Sequence, residues 1–356
     1  MSQTPLGAEQ VPARHPFDLS ALEAWMQKHV AGFSGQIELE RYQGGQSNPT
    51  FLLRSGGRRY VLRSKPAPAA KLLPSAHAIE REFKVIAALA GTGVPVPQVH
   101  ALCEDEGVIG RAFFIMACVD GRVFWDPMLP GMSPAERARI YDDMNRVLAT
   151  LHSIDCDARG LAGFGRSGGY LARQIARWSK QYRASETEKI EAMDRLIDWL
   201  PGNIPASDET TLVHGDYRID NLIFHPSEPA VVAVVDWELS TLGHPLADFA
   251  YHCMSRHVPR ERFRGMGGMD LQALGIPAED EYIEAYCRRT GRSRIEDWDF
   301  YLAYNMFRMA AILQGIMKRN VDGIAASHEA LEVGQETWPM AELAWQYALK
   351  INSAKP

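Results

Sequence analysis

The sequence predicts an α+β fold with two lobes: a small N-terminal antiparallel sheet with one helix, then a larger, mainly helical C-terminal lobe. Three observations carry this. Short apolar stretches separated by Gly-containing turns are confined to residues 37–118. Helical periodicity dominates from residue 134 onward. Between residues 211 and 235 that helical character is interrupted by brief apolar runs that bracket a polar loop. A chain of 356 residues can bury two such cores, with expected domains at 1–118 and 119–356.

Taken in order, residues 1–17 read as a lead-in and 18–30 as a short amphipathic helix. Residues 37–63 alternate strands and turns: a first strand, the turn-prone Gly-Gly-Gln-Ser-Asn-Pro-Thr at 44–50, an apolar Phe-Leu-Leu-Arg, a turn at Ser55-Gly56-Gly57, and a last strand to Arg63. Pro66 and Pro68 stop that strand, because proline brings no amide to a ladder. Residues 76–89 place Ile79, Phe83, Ile86 and Leu89 at helical spacing, and two strands follow at 99–103 and 111–118. Beyond them, 134–152 carries Ile140, Met144, Val147, Leu148 and Leu151 on one helical face. Further helices are expected at 170–182, 186–200, 280–289, 298–318 and over most of 328–348, with short strands at 211–213, 221–224 and 230–235.

Composition excludes some functions. With 38 basic against 44 acidic side chains and a net charge of −6, nothing global favours nucleic acid as a partner. No basic segment followed by an apolar run opens the chain, and no apolar stretch approaches the roughly 20 residues of a membrane span. A cytoplasmic protein without a membrane partner is therefore expected. Cys103, Cys118, Cys156, Cys253 and Cys287 are scattered without a CxxC pair, so reduced thiols are expected rather than a disulfide or metal framework.

The most informative stretch is VHGDYRIDNLIFHPSEPAVVAVVDWE. It holds His214, Asp216 and Asn221, and then Asp236 at the end of a buried-strand pattern. Phosphoryl transfer asks for little more than this: one carboxylate to receive or orient the acceptor hydroxyl proton, and a carboxylate with an amide oxygen to hold magnesium on the phosphates. Taken singly, Asp216 or Asn221 could merely cap a local turn. Their joint spacing, ending on an aspartate at a strand end, favours the chemical reading.

HGDYRIDN followed by VVDWE resembles the aminoglycoside phosphotransferase and choline kinase superfamily, whose fold is that of protein kinases. The resemblance implies Asp216 as catalytic base, Asn221 and Asp236 as magnesium ligands, and His214 as a support of the catalytic loop. It also implies ATP and Mg2+ as cofactors. Gly215 stands where protein kinases carry arginine, and Trp237-Glu238 replace their Phe-Gly. Asp248, in GHPLADFA, matches a family aspartate that steadies the loop and the helix after the metal site.

The nucleotide end is less sharply marked. Gly44, Gly45, Gln46, Ser47 and Asn48 lie in the first hairpin turn, where adjacent glycines let backbone amides approach phosphate. The resemblance places Arg63 where most kinases have a phosphate-binding lysine, with Glu82 as its helix partner, Glu80 as the poorer candidate and Lys65 as a fallback cation. A guanidinium forks between oxygens where an ammonium acts as a point charge, so this departure matters. Residues 113–121 look like the strand and hinge that would meet adenine through main-chain groups around Met116–Cys118.

Acceptor recognition falls to the helical lobe. Arg173, Arg177, Lys180, Arg308 and Lys318 could meet an anionic group, although a solvated stripe is the commoner outcome. YVLRSKP, AHAIEREF, HGDYRIDNLIF and DWELSTLGHPLADFA resemble the kinase-type domain fused to acyl-CoA dehydrogenases in animals (families 10 and 11) and free-standing in bacteria. That likeness implies a small hydroxylated acceptor, with a hydroxyacyl-CoA or related acid as the candidate. Aminoglycoside, choline or sugar kinases and a nucleotide-binding pseudoenzyme are the alternatives. Whether the protein is a monomer or a homodimer is left open by the sequence.

Overall fold

The computed structural model describes residues 8–10, 16–42, 48–66, 78–262, 264–323 and 330–354. The elements run β1 (Ala8–Gln10), α1 (Leu19–His29), β2 (Glu38–Tyr42), β3 (Thr50–Ser55), β4 (Arg58–Ser64), α2 (Ile79–Leu89), β5 (Val99–Cys103) and β6 (Phe113–Ala117). They continue through α3 (Pro134–His152), α4 (Tyr170–Ser185), α5 (Glu191–Trp199), β7 (Thr211–Val213), β8 (Leu222–Phe224), β9 (Val231–Val234), β10 (Thr241–Gly243) and α6 (Pro245–Cys253). The last are α7 (Glu279–Thr290), α8 (Trp298–Val321), α9 (Ala330–Gln335) and α10 (Thr337–Ala354). By internal contacts the chain forms two compact units. One comprises Met1–Val123, Asp157–Leu161 and Asp220–Ser240; the other comprises Phe124–Cys156, Ala162–Ile219 and Thr241–Pro356. This is the expected α+β class: an antiparallel sheet with flanking helices in one unit and a mainly helical second unit.

The first unit is built on a six-stranded sheet in the order β1-β2-β3-β4-β6-β5, antiparallel throughout. Its inner strands are buried on both faces. Phe51, Leu53, Tyr60, Leu62, Phe113 and Ile115 pack with Leu22 and Met26 of α1. That helix is started by Asp18, whose carboxylate accepts the amides of Ser20 (2.9 Å) and Ala21 (3.3 Å). On the other face Phe114 meets Phe83 of α2 edge-on, with ring centroids 5.9 Å apart. Arg63 pairs with Phe114 across the ladder. Directly opposed residues share a face, so the register sends Arg63 toward α2.

The β8–β9 hairpin joins this unit through main-chain bonds. Arg122 and Phe224 exchange amide–carbonyl bonds of 2.8 Å in both directions, and the Val234 amide donates to Pro95 at 2.8 Å. The crossing is so close that a Cβ on Gly121 would lie 2.3 Å from the Phe224 carbonyl oxygen, so only glycine fits.

In the second unit α8 is central, packing against α4, α6, α9 and α10. Fifteen of its residues, including Asn305, Arg308 and Gln314, are buried, so it reads as apolar nearly all round. α3 opens with a capping box, Ser133 and Glu136 exchanging bonds around Pro134. The helix expected over 328–348 is two helices, α9 and α10. Pro339 in the first turn of α10 has no amide and cannot continue a helix that began at Ala330, so the chain restarts at Thr337. β10, paired with β7, was not anticipated. No disulfide joins the five cysteines. Among the described residues no helix is long and apolar enough to cross a membrane.

Candidate active site

In the first unit the β8–β9 hairpin positions Asn221 and Asp236. Leu222 pairs with Val234 and Ile223 with Ala233. The Val235 amide then donates to the Asn221 carbonyl at 3.0 Å, which extends the pairing by one residue. Asn221 is thereby set opposite Val235, one position from Asp236. Asp236 sits at φ 65° and ψ 62°, in the left-handed region that side-chain-bearing residues rarely adopt. Aspartate tolerates it better than most. Trp237 locks the turn that follows, donating its indole N–H to Val234 (2.9 Å) and accepting from the Ser240 hydroxyl (2.7 Å). A strained residue held this firmly at a strand end points to function.

Arg63 reaches the same place from β4. Its Nε lies 2.6 Å from Glu82 Oε2 and its Nη2 2.6 Å from Asp236 Oδ1, with Glu238 3.8 Å away. Glu82 Oε1 accepts from the Asn48 amide at 2.8 Å. Burial works against the Arg63 charge, and Glu82 and Asp236 more than offset it, holding the guanidinium charged. Burial pushes the Glu82 carboxyl up, and the Arg63 charge and the Asn48 hydrogen bond offset this only in part. Its two oxygens face the Arg63 guanidinium and the Asn48 side-chain amide. Removing one member of a buried pair strands the other, so Glu82→Ala is expected to cost about 3 kcal/mol of stability, read from urea unfolding.

Glu82, Asp236 and Glu238 bring donor oxygens within 4.8 Å of one another. With Asn221 set opposite Val235 by the hairpin, this donor set is all oxygen. Such a set suits a hard cation such as Mg2+ and not a soft one.

The other nucleotide-end residues divide. Gly44, Gly45, Gln46 and Ser47 lie outside the described residues. The Asn48 side-chain amide, expected to contact phosphate, donates to Glu82. Lys65 is ion-paired with Glu80. Met116 pairs with Val61 on one side and Val99 on the other. The Ala117 amide donates to Gln98 at 2.7 Å, and the Cys118 amide donates to Arg59 at a longer 3.4 Å.

The second unit holds the loop that follows β7. Its backbone is gripped by one face of α6, where Asp248, Tyr251 and His252 stand at i, i+3 and i+4. Asp248 accepts the amides of His214 (2.8 Å) and Gly215 (2.9 Å). The Tyr251 hydroxyl donates to Asp216 Oδ1 at 2.5 Å, and Arg218 Nε lies 3.3 Å from the same oxygen. Arg308 from α8 donates to the Gly215 carbonyl at 2.8 Å. Gly215 itself has φ 83°, a turn that favours glycine and accounts for its place in the motif. His214 is buried, and its Nδ1 accepts the Asp216 amide at 3.2 Å.

Asp248 is therefore a loop clamp rather than a helix cap. Burial by itself would raise its carboxyl. The His152 hydrogen bond, the neighbouring His152 and His214 imidazoles and the His214 amide reverse this and hold it below the ordinary value. His152 Nε2 lies 3.2 Å from Asp248, with its Nδ1 2.7 Å from the Tyr286 hydroxyl.

His252 Nδ1 lies 3.3 Å from the Tyr217 carbonyl and its Nε2 2.7 Å from the Tyr282 hydroxyl. Burial pushes it down to about 4, so it is neutral and its Nδ1–H donates to the carbonyl. The consequence for stability follows by linkage. Below about pH 6.5 the unfolded chain binds this proton, and the folded chain does so only near pH 4. Stability from this group is complete above about 6.5 and falls as pH drops toward about 4. The thermal midpoint should decline over that window, and His252→Gln should decline less.

Of the five cations considered for the acceptor, Arg308 is buried against the loop and Lys318 pairs with Asp322 at 2.7 Å. Arg173 donates to the carbonyls of Gly168 and Arg166. Arg177 lies over the Trp178 ring at 5.5 Å, and Lys180 is exposed. Tyr251, His252 and His152 were not singled out from the sequence, although the i, i+3, i+4 spacing after Asp248 was there to be seen.

The family model described as the phosphotransferase enzyme family matches residues 38–304. Acyl-CoA dehydrogenase family member 10 of Mus musculus is 50% identical over 333 residues, which is 93% of this chain and 31% of that protein. Acyl-CoA dehydrogenase family member 11 of Rattus norvegicus is 43% identical over 354 residues, 98% of this chain and 45% of that protein. The chain thus spans less than half the length of these relatives. A crystal structure from Ralstonia eutropha JMP134, provisionally described as an aminoglycoside phosphotransferase, is 59% identical with a TM-score of 0.87. It covers 94% of this chain and 99% of its own.

Proposed function

The chain belongs to the phosphotransferase enzyme family, and from that premise we propose that it transfers the γ-phosphoryl group of ATP to a hydroxyl of a small molecule. The favoured acceptor is a hydroxyacyl-CoA or a related hydroxy acid. The observation that carries the reading is the β8–β9 hairpin end, where Asn221 and a left-handed Asp236 stand together with Arg63 on the Asp236 carboxylate.

In this reading Asn221 and Asp236 hold Mg2+, and their all-oxygen donor set fits it. When bound, the metal–nucleotide pair supplies the phosphoryl group and neutralises charge developing on it. Arg63, kept charged by Glu82, steadies phosphate oxygens with a forked donor. Glycines 44 and 45 with Gln46 and Ser47 would supply further phosphate contacts, and the main chain at Met116–Cys118 the adenine edge. Asp216 orients the acceptor hydroxyl and receives its proton. His214 keeps the loop in shape by accepting the Asp216 amide.

The acceptor class is supported by the likeness to the acyl-CoA dehydrogenase family members, whose names belong to much longer proteins. The provisional description of the Ralstonia structure favours a second reading, an aminoglycoside acceptor. ADP release from Mg-ATP across hydroxyacyl-CoAs, aminoglycosides, choline and sugars separates them. Turnover is expected with a hydroxyacyl-CoA. Turnover with an aminoglycoside alone transfers the assignment to that class. Nucleotide binding without turnover on any acceptor, unchanged in Asp216→Asn, supports a pseudoenzyme.

A further inference from the structure

We infer that Tyr251 is a positioning residue for Asp216, and that Arg308 holds Tyr251 in place. The inference deepens the phosphotransferase reading and rests on it. The Tyr251 hydroxyl donates to Asp216 Oδ1 at 2.5 Å, a length typical of a hydroxyl bonded to a charged acceptor. Burial and the Asp216 carboxylate both push the Tyr251 phenol up, so it stays protonated and remains a donor. Arg218 Nε approaches the same oxygen at 3.3 Å. The Tyr251 bond, with the Arg218 charge beside the same oxygen, sets the orientation of the carboxylate, and with it the angle at which Asp216 meets an acceptor hydroxyl.

The phenol is itself confined. The Arg308 guanidinium lies 5.1 Å from the centre of the Tyr251 ring and donates to the Gly215 carbonyl at 2.8 Å. One buried cation therefore braces the tyrosine and ties it to the residue preceding Asp216. Trp178 stands 5.8 Å from the same guanidinium, so Arg308 meets two aromatic rings. Tyr251 issues from α6 three residues after Asp248, which clamps the amides of His214 and Gly215. Backbone and side chain of the loop are thus set by the same helix face.

The test uses the full chain and two readouts. In proton NMR a downfield hydroxyl resonance is expected, lost in Tyr251→Phe and in Asp216→Ala. Its absence from the wild type overturns the inference without reference to turnover. With an acceptor that the wild type phosphorylates, Tyr251→Phe should lower kcat about 10- to 100-fold, the scale of small misplacements of a reacting group. The KM for Mg-ATP should stay within about twofold, because positioning acts on the reacting carboxylate and not on nucleotide binding. Arg308→Lys, which keeps the charge and loses the planar stack, should lower kcat in the same direction. A kcat within twofold of wild type in Tyr251→Phe, or a parallel rise in the KM for Mg-ATP, overturns the role. A wild type that phosphorylates no acceptor while showing the resonance refutes the phosphotransferase reading instead, with the contact itself intact.

Discussion

Alanine at Asp216 is expected to lower kcat by about 10²- to 10⁴-fold, the usual contribution of a positioned general base. Mg-nucleotide affinity should stay within about twofold, since the residue acts on the acceptor and not on the phosphates. The fold should survive. The loop that carries Asp216 is held through its backbone, by Asp248 on the amides of His214 and Gly215 and by Arg308 on the Gly215 carbonyl. Truncating one side chain leaves those bonds in place. Steady-state kinetics together with calorimetric nucleotide binding check the separation. A loss of affinity equal to the loss of rate would place Asp216 in nucleotide binding.

The second large effect belongs to Asp236. Asparagine is the sharper substitution there, because it tolerates the left-handed backbone that alanine would strain. Asp236→Asn removes a formal charge from the proposed metal site and half of the Arg63 fork. Outer-shell partners of metal ligands already carry about 10- to 100-fold in affinity, so losing an anionic ligand should weaken Mg-ATP binding by about 100-fold or more. Arg63 keeps Glu82 as a partner at 2.6 Å, so unfolding by urea should move far less than for Glu82→Ala. Titration with Mg2+ at fixed nucleotide reads the effect directly.

How legible this was in the sequence depends on distance along the chain. The polar loop after β7 could be read because Asp216 and Asn221 are five residues apart and flanked by short apolar runs. The sheet strands could be read because Gly-containing turns punctuate them. The Arg63–Glu82 pair was accessible through a resemblance, from a strand followed by a helix. Its third member was not: Asp236 is 173 residues from Arg63, and no local pattern joins them. Asn48 looks like any turn residue until Glu82 is seen beneath it. The face of α6 is half legible: Asp248 stands out through a family resemblance, while the one-turn spacing that puts Tyr251 and His252 beside it is common to any helix. Arg308 was weighed as a surface cation because charge suggests solvent. Inside α8 its charge is instead spent on the Gly215 carbonyl and on two aromatic rings.

Phosphorus NMR of the products, with Mg-ATP and a hydroxyacyl-CoA, addresses the central claim with the fewest intermediaries. The account predicts a phosphate monoester resonance on the acceptor that grows with ADP in the wild type and is suppressed in Asp216→Ala and Asp236→Asn. Inorganic phosphate alone, or an ester that forms equally fast in Asp216→Ala, would contradict it.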